Sequence, residues 1–329
     1  MSDSLPDIAV APMMDWTDRH CRALHRRLAP RVRLYTEMVV ADAILHGDRE
    51  RLLGFDPLEH PVALQLGGAD PAKLATAARI GADFGYDEIN LNCGCPSDRV
   101  REGAFGACLM ARPTVVAEGV AAMIAAVPSR VPVTVKCRLG IDDRDDWAFL
   151  EEFLATVRGA GCRHFIVHAR QAILGGLSPK ENREIPPLRH AEVWRVKQAF
   201  PDCRIVINGG LKTVADVAAH LPRVDGAMLG REAYHRPYFL AELSAAFLGA
   251  GSAPSEVEMA AWLAEYTARH VAAGGRVHDV ARHALGLFAG KPGARAWRRY
   301  LSEHSNRRDV SPAVFEQAAQ VAGRLAHAA

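Results

Sequence analysis

The sequence predicts an α/β fold: a (β/α)8 TIM barrel over residues 1–248, a linker at 249–254 and a small C-terminal all-helical bundle over 255–329. Three observations predict it. Eight short apolar segments recur through about 240 residues, and most of the stretches between them are long enough for a helix. Seven of the eight segments end in polar or glycine-rich residues, as expected where the C-terminal ends of barrel strands carry chemistry. Beyond Gly249-Ala-Gly-Ser-Ala-Pro254 the pattern turns purely helical.

The eight segments are Ile8–Ala11, Leu34–Met38, Val62–Leu66, Glu88–Asn92, Val133–Lys136, His164–His168, Ile205–Asn208 and Gly226–Leu229. Most are rich in Val, Ile and Leu, as strands covered on both faces should be. A doubly wound open sheet is the alternative. It usually carries G-x-G-x-x-G after its first strand, whereas here the first segment runs into Ala11-Pro12-Met13-Met14. Asp70-Pro71 reads as an N-cap followed by Pro at the first helical position, and Arg112-Pro113-Thr114 and Lys212-Thr213 read as similar starts. In the bundle, Ser255 and Glu258 form a capping box, Met259, Trp262, Leu263 and Tyr266 follow at helical spacing, and Gly274-Gly275 ends the run. A second helix is expected over 277–288, then a turn at Lys291-Pro292-Gly293. A third helix is expected over 294–302, and a fourth opened by Ser311 and Pro312.

The composition, 49% hydrophobic and 24% charged in 329 residues, is that of an ordinary globular protein and excludes disordered and collagen-like classes. No apolar run approaches the roughly 20 residues of a membrane span, so no membrane partner is expected. Met1–Asp7 carries acids and no basic or apolar block, which argues against a secretory leader. The seven cysteines, an odd count, then read as free thiols in a reducing cytoplasm. Cys93-Gly-Cys95 lacks a second ligand pair at zinc spacing, so no metal is expected.

The formal net charge of +2 gives no argument for nucleic acid, and the uneven distribution of charge by itself reads as a solvated helix face. From Gly251 onward ten basic residues face seven acidic ones. No acid lies between Asp279 and Glu303, where Arg282, Lys291, Arg295, Arg298 and Arg299 fall.

The strand ends locate the candidate chemistry. Asn208-Gly209-Gly210 after the seventh segment and Gly230-Arg231 after the eighth fit a phosphate site of exposed backbone N–H groups. Gly209-Gly210 alone could equally be a tight βα turn, and the combination with Gly230-Arg231 favours phosphate. Lys136 interrupts an apolar strand and needs an anion: a negatively charged cofactor ring, or a core ion pair with Glu37. His168 is either a core histidine or a ligand contact. Gln65 offers a donor and an acceptor suited to a ring edge. Met13 and Met14 fill core or wall a flat ring. Cys95 sits in a loop rather than a regular element, where a thiol can act as nucleophile or general acid.

Together, Ala11-Pro-Met-Met-Asp-Trp-Thr-Asp18, Leu91-Asn-Cys-Gly-Cys-Pro-Ser97, Val133-Thr-Val-Lys136 and Ile207-Asn-Gly-Gly210 resemble the tRNA-dihydrouridine synthases. Gly175-Gly-Leu-Ser-Pro-Lys-Glu-Asn-Arg-Glu-Ile-Pro-Pro187 and Pro292-Gly-Ala-Arg-Ala-Trp-Arg-Arg-Tyr-Leu301 resemble their A subfamily, which acts on D-loop uridines at tRNA positions 20 and 20a. The resemblance runs from about Ile8 to Glu303. It implies FMN as cofactor, NADPH as reductant and tRNA, at its D-loop and elbow, as partner. Carried over by motif, Pro12, Met13 and Met14 line the flavin, and Gln65, Lys136 and His168 contact its ring and ribityl chain. Asn208, Gly209, Gly210, Gly230 and Arg231 hold its phosphate. Cys95 is the implied proton donor to C5 after hydride reaches C6, Asn92 touches the target base, and that base leaves the stack to reach the site. Thiols as a class are mostly protonated at neutral pH, as a general acid must be.

The basic stretch then has a use: Arg295, Arg298 and Arg299 on one helix would position tRNA phosphates, and Lys180 and Arg183 form a second candidate contact. The competing functions are a small-molecule flavin oxidoreductase of the dihydropyrimidine or dihydroorotate dehydrogenase type, which needs no basic appendage, and a non-catalytic tRNA chaperone. A monomer is expected, and no motif points to an NADPH site.

Overall fold

The computed structural model describes residues 5–97, 103 and 105–327. Eight parallel strands form one sheet in the order β1-β8-β7-β6-β5-β4-β3-β2. They are β1 (Asp7–Val10), β2 (Leu34–Val40), β3 (Val62–Gly67), β4 (Glu88–Cys93), β5 (Val133–Arg138), β6 (His164–His168), β7 (Arg204–Asn208) and β8 (Gly226–Leu229). The edges meet: Val10 N–H donates to Arg33 O and Arg33 N–H donates to Ile8 O, both at 2.9 Å. Each expected segment became a strand, with ends moved by at most two residues.

Strand alternation explains the barrel's two environments. Outward residues such as Ile89, Leu91, Val133, Val135, Val167 and Ile207 are buried among apolar neighbours, which is why the strands read as continuous apolar runs. Inward residues Ala9, Ala11, Tyr35, Ala63, Ile166, Val206 and Met228 form one buried cluster. On β3, β4 and β5 most inward residues are polar instead: Gln65, Glu88, Asn90, Asn92 and Thr134 are all buried.

The helix starts follow local chemistry. Asp70 accepts from the N–H of Lys73 ahead of Pro71, and Thr213 and Asp216 form a capping box. Helix Pro113–Ala126 opens on its proline with no side-chain cap from Arg112.

By packing, the chain divides into two compact units. One is the barrel, residues up to Met14 together with Arg33–Gly230. The other joins Asp15–Val32 to the chain from Arg231 onward. The packing boundary thus falls at Gly230, whereas the sequence places a linker at 249–254. The reason lies in contacts within the helical unit: Tyr238 Oη donates to Pro254 O at 2.7 Å and Arg31 Nη1 donates to Leu248 O at 2.7 Å. The Gly- and Ser-containing stretch is therefore strapped to the helices beside it.

The helical unit contains helices Arg19–Leu28, Tyr238–Phe247, Glu256–Ala272, Val277–Ala284, Ala294–His304 and Val314–His327. The Ser255–Glu258 capping box forms as expected. The next helix stops at Ala284, four residues before the expected end. There Ala284 O accepts from Trp297 Nε1 at 2.8 Å, which satisfies a carbonyl the helix leaves open. The last helix begins at Val314, after a turn in which Val314 N–H donates to Ser311 O at 3.0 Å.

Candidate active site

Strand register brings the expected residues to one end of the barrel. Gln65 lies beside Asn90, Asn92 beside Lys136, Arg138 beside His168, and His168 beside Asn208. Pro12 and Met13, just past β1, are half-buried, and Met14 is 58% exposed.

Cys95 is half-buried on the loop after β4. Its backbone is pinned, because Asn92 Oδ1 accepts from the N–H groups of Gly94 and Cys95, both at 3.0 Å. Its Sγ lies 3.5 Å from Ser97 Oγ. All seven cysteines are free, as expected. Most of the others are buried: burial pushes the thiols of Cys137 and Cys162 up to about 12 and that of Cys93 well above its ordinary value. Those thiols are buried packing residues, whereas Cys95 is half-buried on a loop.

Lys136 has no carboxylate partner among the described residues, so the alternative of an ion pair with Glu37 does not form. Burial, reinforced by the charge of Arg138, pushes its ammonium down to about 8. His168 is buried. Burial first, then Arg138 and Lys136, hold its imidazolium form well below the usual range, so the ring is neutral near pH 7. Lys136 and Arg138 thus place positive charge side by side on β5, with no carboxylate on Lys136 among the described residues.

Gly209 and Gly210 have φ of +111° and +77°. A Cβ on Gly209 would come within 2.8 Å of His168 Cδ2, and one on Gly210 within 2.4 Å of Leu188 Cδ1. The turn itself therefore requires both glycines. Asn208 Nδ2 donates to Met228 O at 2.8 Å, which ties β7 to β8. A Cβ on Gly230 would meet only Met13 Sδ, at 3.9 Å, so space is open there. Arg231 opens helix Arg231–His235 and belongs by packing to the helical unit.

Lys180 and Arg183 are exposed, at and within the short 3-10 turn Glu181–Arg183. Arg138, which shares a face of β5 with Lys136, stands out in the sequence as a polar residue at a strand end but carries no expected role there. Its Nε donates to Gly94 O at 2.9 Å, and its Nη1 donates to Gln171 O and Asn182 O at 2.9 and 3.0 Å. It clamps the Cys95 loop to the β6 loop. Burial brings its guanidinium down to about 10, so it stays charged at neutral pH. Asn182, fully buried, ties the β6 loop to Ile173 and Leu177. The available sequence signal was the i, i+2 spacing of Lys136 and Arg138.

In the helical unit the basic stretch is partly neutralised. Arg282 pairs with Asp18, Lys291 with Glu256, and Arg299 with Glu303 at 2.8 Å. Arg295 and Arg298 are exposed and have no carboxylate partner among the described residues. Trp297 between them is fully buried and stacked on Phe288, with centroids 4.6 Å apart.

Barrel and strand-end groups define a class: a (β/α)8 barrel with a thiol-bearing loop and an in-facing lysine at its C-terminal end. Within that class the chain belongs to the dihydrouridine synthase (Dus) family, whose model matches residues 9–322. It is 56% identical over 311 residues to the tRNA-dihydrouridine(20/20a) synthase of Xanthomonas axonopodis pv. citri, covering 94% of this chain and 92% of that one. It is 54% identical to the synthase of the same name from Pseudomonas aeruginosa, covering 96% and 95%. It is 50% identical to that of Vibrio cholerae, covering 94% and 95%. Among solved structures, the old yellow enzyme homologue from Zymomonas mobilis aligns with a TM-score of 0.50 at 13% identity, over 70% of this chain and 86% of that one. That likeness concerns the fold alone.

Proposed function

We propose that the protein is a flavin-dependent tRNA-dihydrouridine synthase that reduces the C5=C6 bond of D-loop uridines at positions 20 and 20a. FMN is the flavin and NADPH its reductant. The observation that carries this reading is the near-full-length likeness to synthases of that name, in a chain whose Cys95 loop is pinned at the barrel's C-terminal end. The residues present fit a flavin. Lys136 is a cation with no carboxylate partner among the described residues, Gln65 and Asn92 offer amide groups, and the open space at Gly230 beside Met13 leaves room for a bulky group. Pro12, Met13, Met14, Gln65, Lys136 and His168 would hold its ring and chain, and Asn208, Gly209, Gly210, Gly230 and Arg231 its phosphate.

When bound and reduced, the flavin supplies the hydride that reaches C6 of the uracil. Cys95 holds the proton delivered to C5, which completes the two-electron reduction. Asn92 orients the base. Lys136 opposes negative charge near the site, and neutral His168 adds none. Lys180, Arg183, Arg295 and Arg298 bind tRNA phosphates, and Arg299 does so in competition with Glu303. The protein works as a cytoplasmic monomer.

The test follows the flavin spectrum after anaerobic reduction with NADPH. Unmodified tRNA should reoxidise it, and tRNA with its D-loop uridines replaced by cytidine should not. Cys95→Ala should lower the rate by about 10²–10⁴-fold. A reducible flavin indifferent to tRNA would favour a small-molecule substrate.

A further inference from the structure

A file of hydrogen bonds runs through the barrel interior from its floor to the Cys95 loop. It begins at Glu88, fully buried and 3.4 Å from Arg33 Nε. Glu88 Oε1 accepts from Tyr35 Oη at 2.5 Å and from Thr134 Oγ1 at 2.6 Å. The Thr134 oxygen accepts from Asn90 Nδ2 at 2.8 Å, and Asn90 Oδ1 accepts from Gln65 Nε2 at 2.7 Å. Gln65 Oε1 accepts from Asn92 Nδ2 at 2.7 Å. Asn92 Oδ1 closes the file on the N–H groups of Gly94 and Cys95. Glu88, Asn90 and Thr134 are 0% exposed, Gln65 1% and Asn92 8%.

Both ends of this file are one-way. A carboxylate accepts, and a backbone N–H only donates. Followed from either end, the donors and acceptors give the same single orientation of all three amides. Turning any one of them by 180° would set N–H against N–H or oxygen against oxygen. Each NH2 group has two hydrogens, so the file leaves one N–H on Gln65 and one on Asn92. Both lone pairs of the Asn92 oxygen are used. Those two amides therefore present donors, and a ligand edge meeting them must bring acceptors such as ring carbonyls.

We propose that Thr134 and Asn90 are positioning residues: with Glu88 they fix the amide orientation of Gln65 and Asn92, and through Asn92 they hold the backbone of Cys95. Thr134 and Asn90 stand level with Gln65 in the sheet, and neither is among the residues assigned to flavin or substrate. Their effect on the reaction rests on the reading of Cys95 as proton donor and of Gln65 as a flavin contact. The placement of the loop does not.

Two substitutions separate the hydroxyl from the shape. Thr134→Ser keeps the hydroxyl, whereas Thr134→Val keeps the volume and removes it, which frees Asn90 to turn. The first readout needs neither turnover nor tRNA: the rate of Cys95 alkylation by iodoacetamide across pH, followed by peptide mass on the protein as purified. Thr134→Ser should stay within about twofold of wild type, and Thr134→Val should differ by about fivefold or more. The second readout is reduction of unmodified tRNA. Thr134→Val should lower kcat about tenfold with KM within about twofold.

A Thr134→Val protein with a lower melting temperature but wild-type alkylation and kcat has lost packing only, and overturns the proposal. If Thr134→Val does not fold, Asn90→Ala, which leaves room for water, takes its place under the same criteria. Full tRNA reduction by Cys95→Ala would refute the proton-donor reading and leave the alkylation contrast to decide the positioning role by itself.

Discussion

The barrel unit and the helical unit each bury a polar network, built from different chemistry. In the barrel, Thr134, Asn90, Gln65 and Asn92 are hydroxyl and amides that keep their protons across the physiological range. In the helical unit the network is built on histidines and carboxylates. Asp18 accepts from His283 Nε2 at 2.9 Å and pairs with Arg282. His20 bonds Tyr266 Oη at 2.9 Å and packs on His270, which pairs with Asp279 at 3.0 Å. Trp16 stacks on Tyr234 with centroids 4.3 Å apart. The difference teaches that burial alone does not decide how a polar core responds to pH. An amide network holds its geometry as protons come and go, and a histidine–carboxylate network does not.

The comparison can be broken most forcefully at Asp18. Asp18→Ala removes the acceptor for His283 and Arg282, and also the cap that takes the N–H groups of His20 and Cys21. We expect a loss on the order of 3 kcal/mol. Hydrogen exchange in helices Arg19–Leu28 and Val277–Ala284 reads this directly, and protection equal to wild type would refute the cluster's structural role.

Acid comes next. Burial pushes His20 down to about 4 and His25 down to about 3, from an ordinary value of 6.5. Below pH 6.5 the unfolded chain therefore takes up protons that the folded chain refuses. Stability is intact above that pH and falls as pH drops toward 4. Between pH 6.5 and 5 the helical unit should lose on the order of 2 kcal/mol. For Asp18, burial acts upward, but the hydrogen bond and charge of His283 outweigh it and hold the carboxylate well below its usual range. Its contribution is thus lost only in stronger acid, below about pH 4. A flat profile of exchange protection over pH 5 to 7 would contradict this.

Tyr35→Phe probes the other side. It removes one donor to Glu88 and should cost about 1 kcal/mol, equally at pH 5 and pH 8. A pH-dependent cost would mean that the barrel network titrates after all. The smallest effects belong to the exposed arginines. Arg298→Ala should leave the melting temperature unchanged and reduce the salt dependence of tRNA binding by about one unit of slope, with Arg299→Ala changing it less because Glu303 already holds that side chain. Equal slopes for both would remove the distinction.

Much of this was legible in the sequence. The eight strands announced themselves because parallel strands buried on both faces read as apolar runs, and the strand-end residues Lys136, His168, Asn208 and Cys95 stood out against them. The capping boxes at Thr213 and Ser255 are local devices and were read locally. The rest depends on contacts distant in sequence. Arg138 reaches Asn182 across 44 positions, and Gln65, Asn90 and Thr134 come together only through register. The assignment of residues 15–32 to the helical unit rests on Asp18 meeting residues 264 and 265 positions away, a separation no periodicity encodes.

That assignment also bears on how the protein is made. Helix Arg19–Leu28 emerges from the ribosome roughly two hundred residues ahead of the partners of its buried face, which lie from Arg231 onward. At 5–20 residues per second the wait is roughly ten to forty seconds. Through that interval a helix with Cys21, Leu24 and Leu28 on its inner side must be shielded by other means, and a nascent chain stalled before Arg231 would carry that surface uncovered.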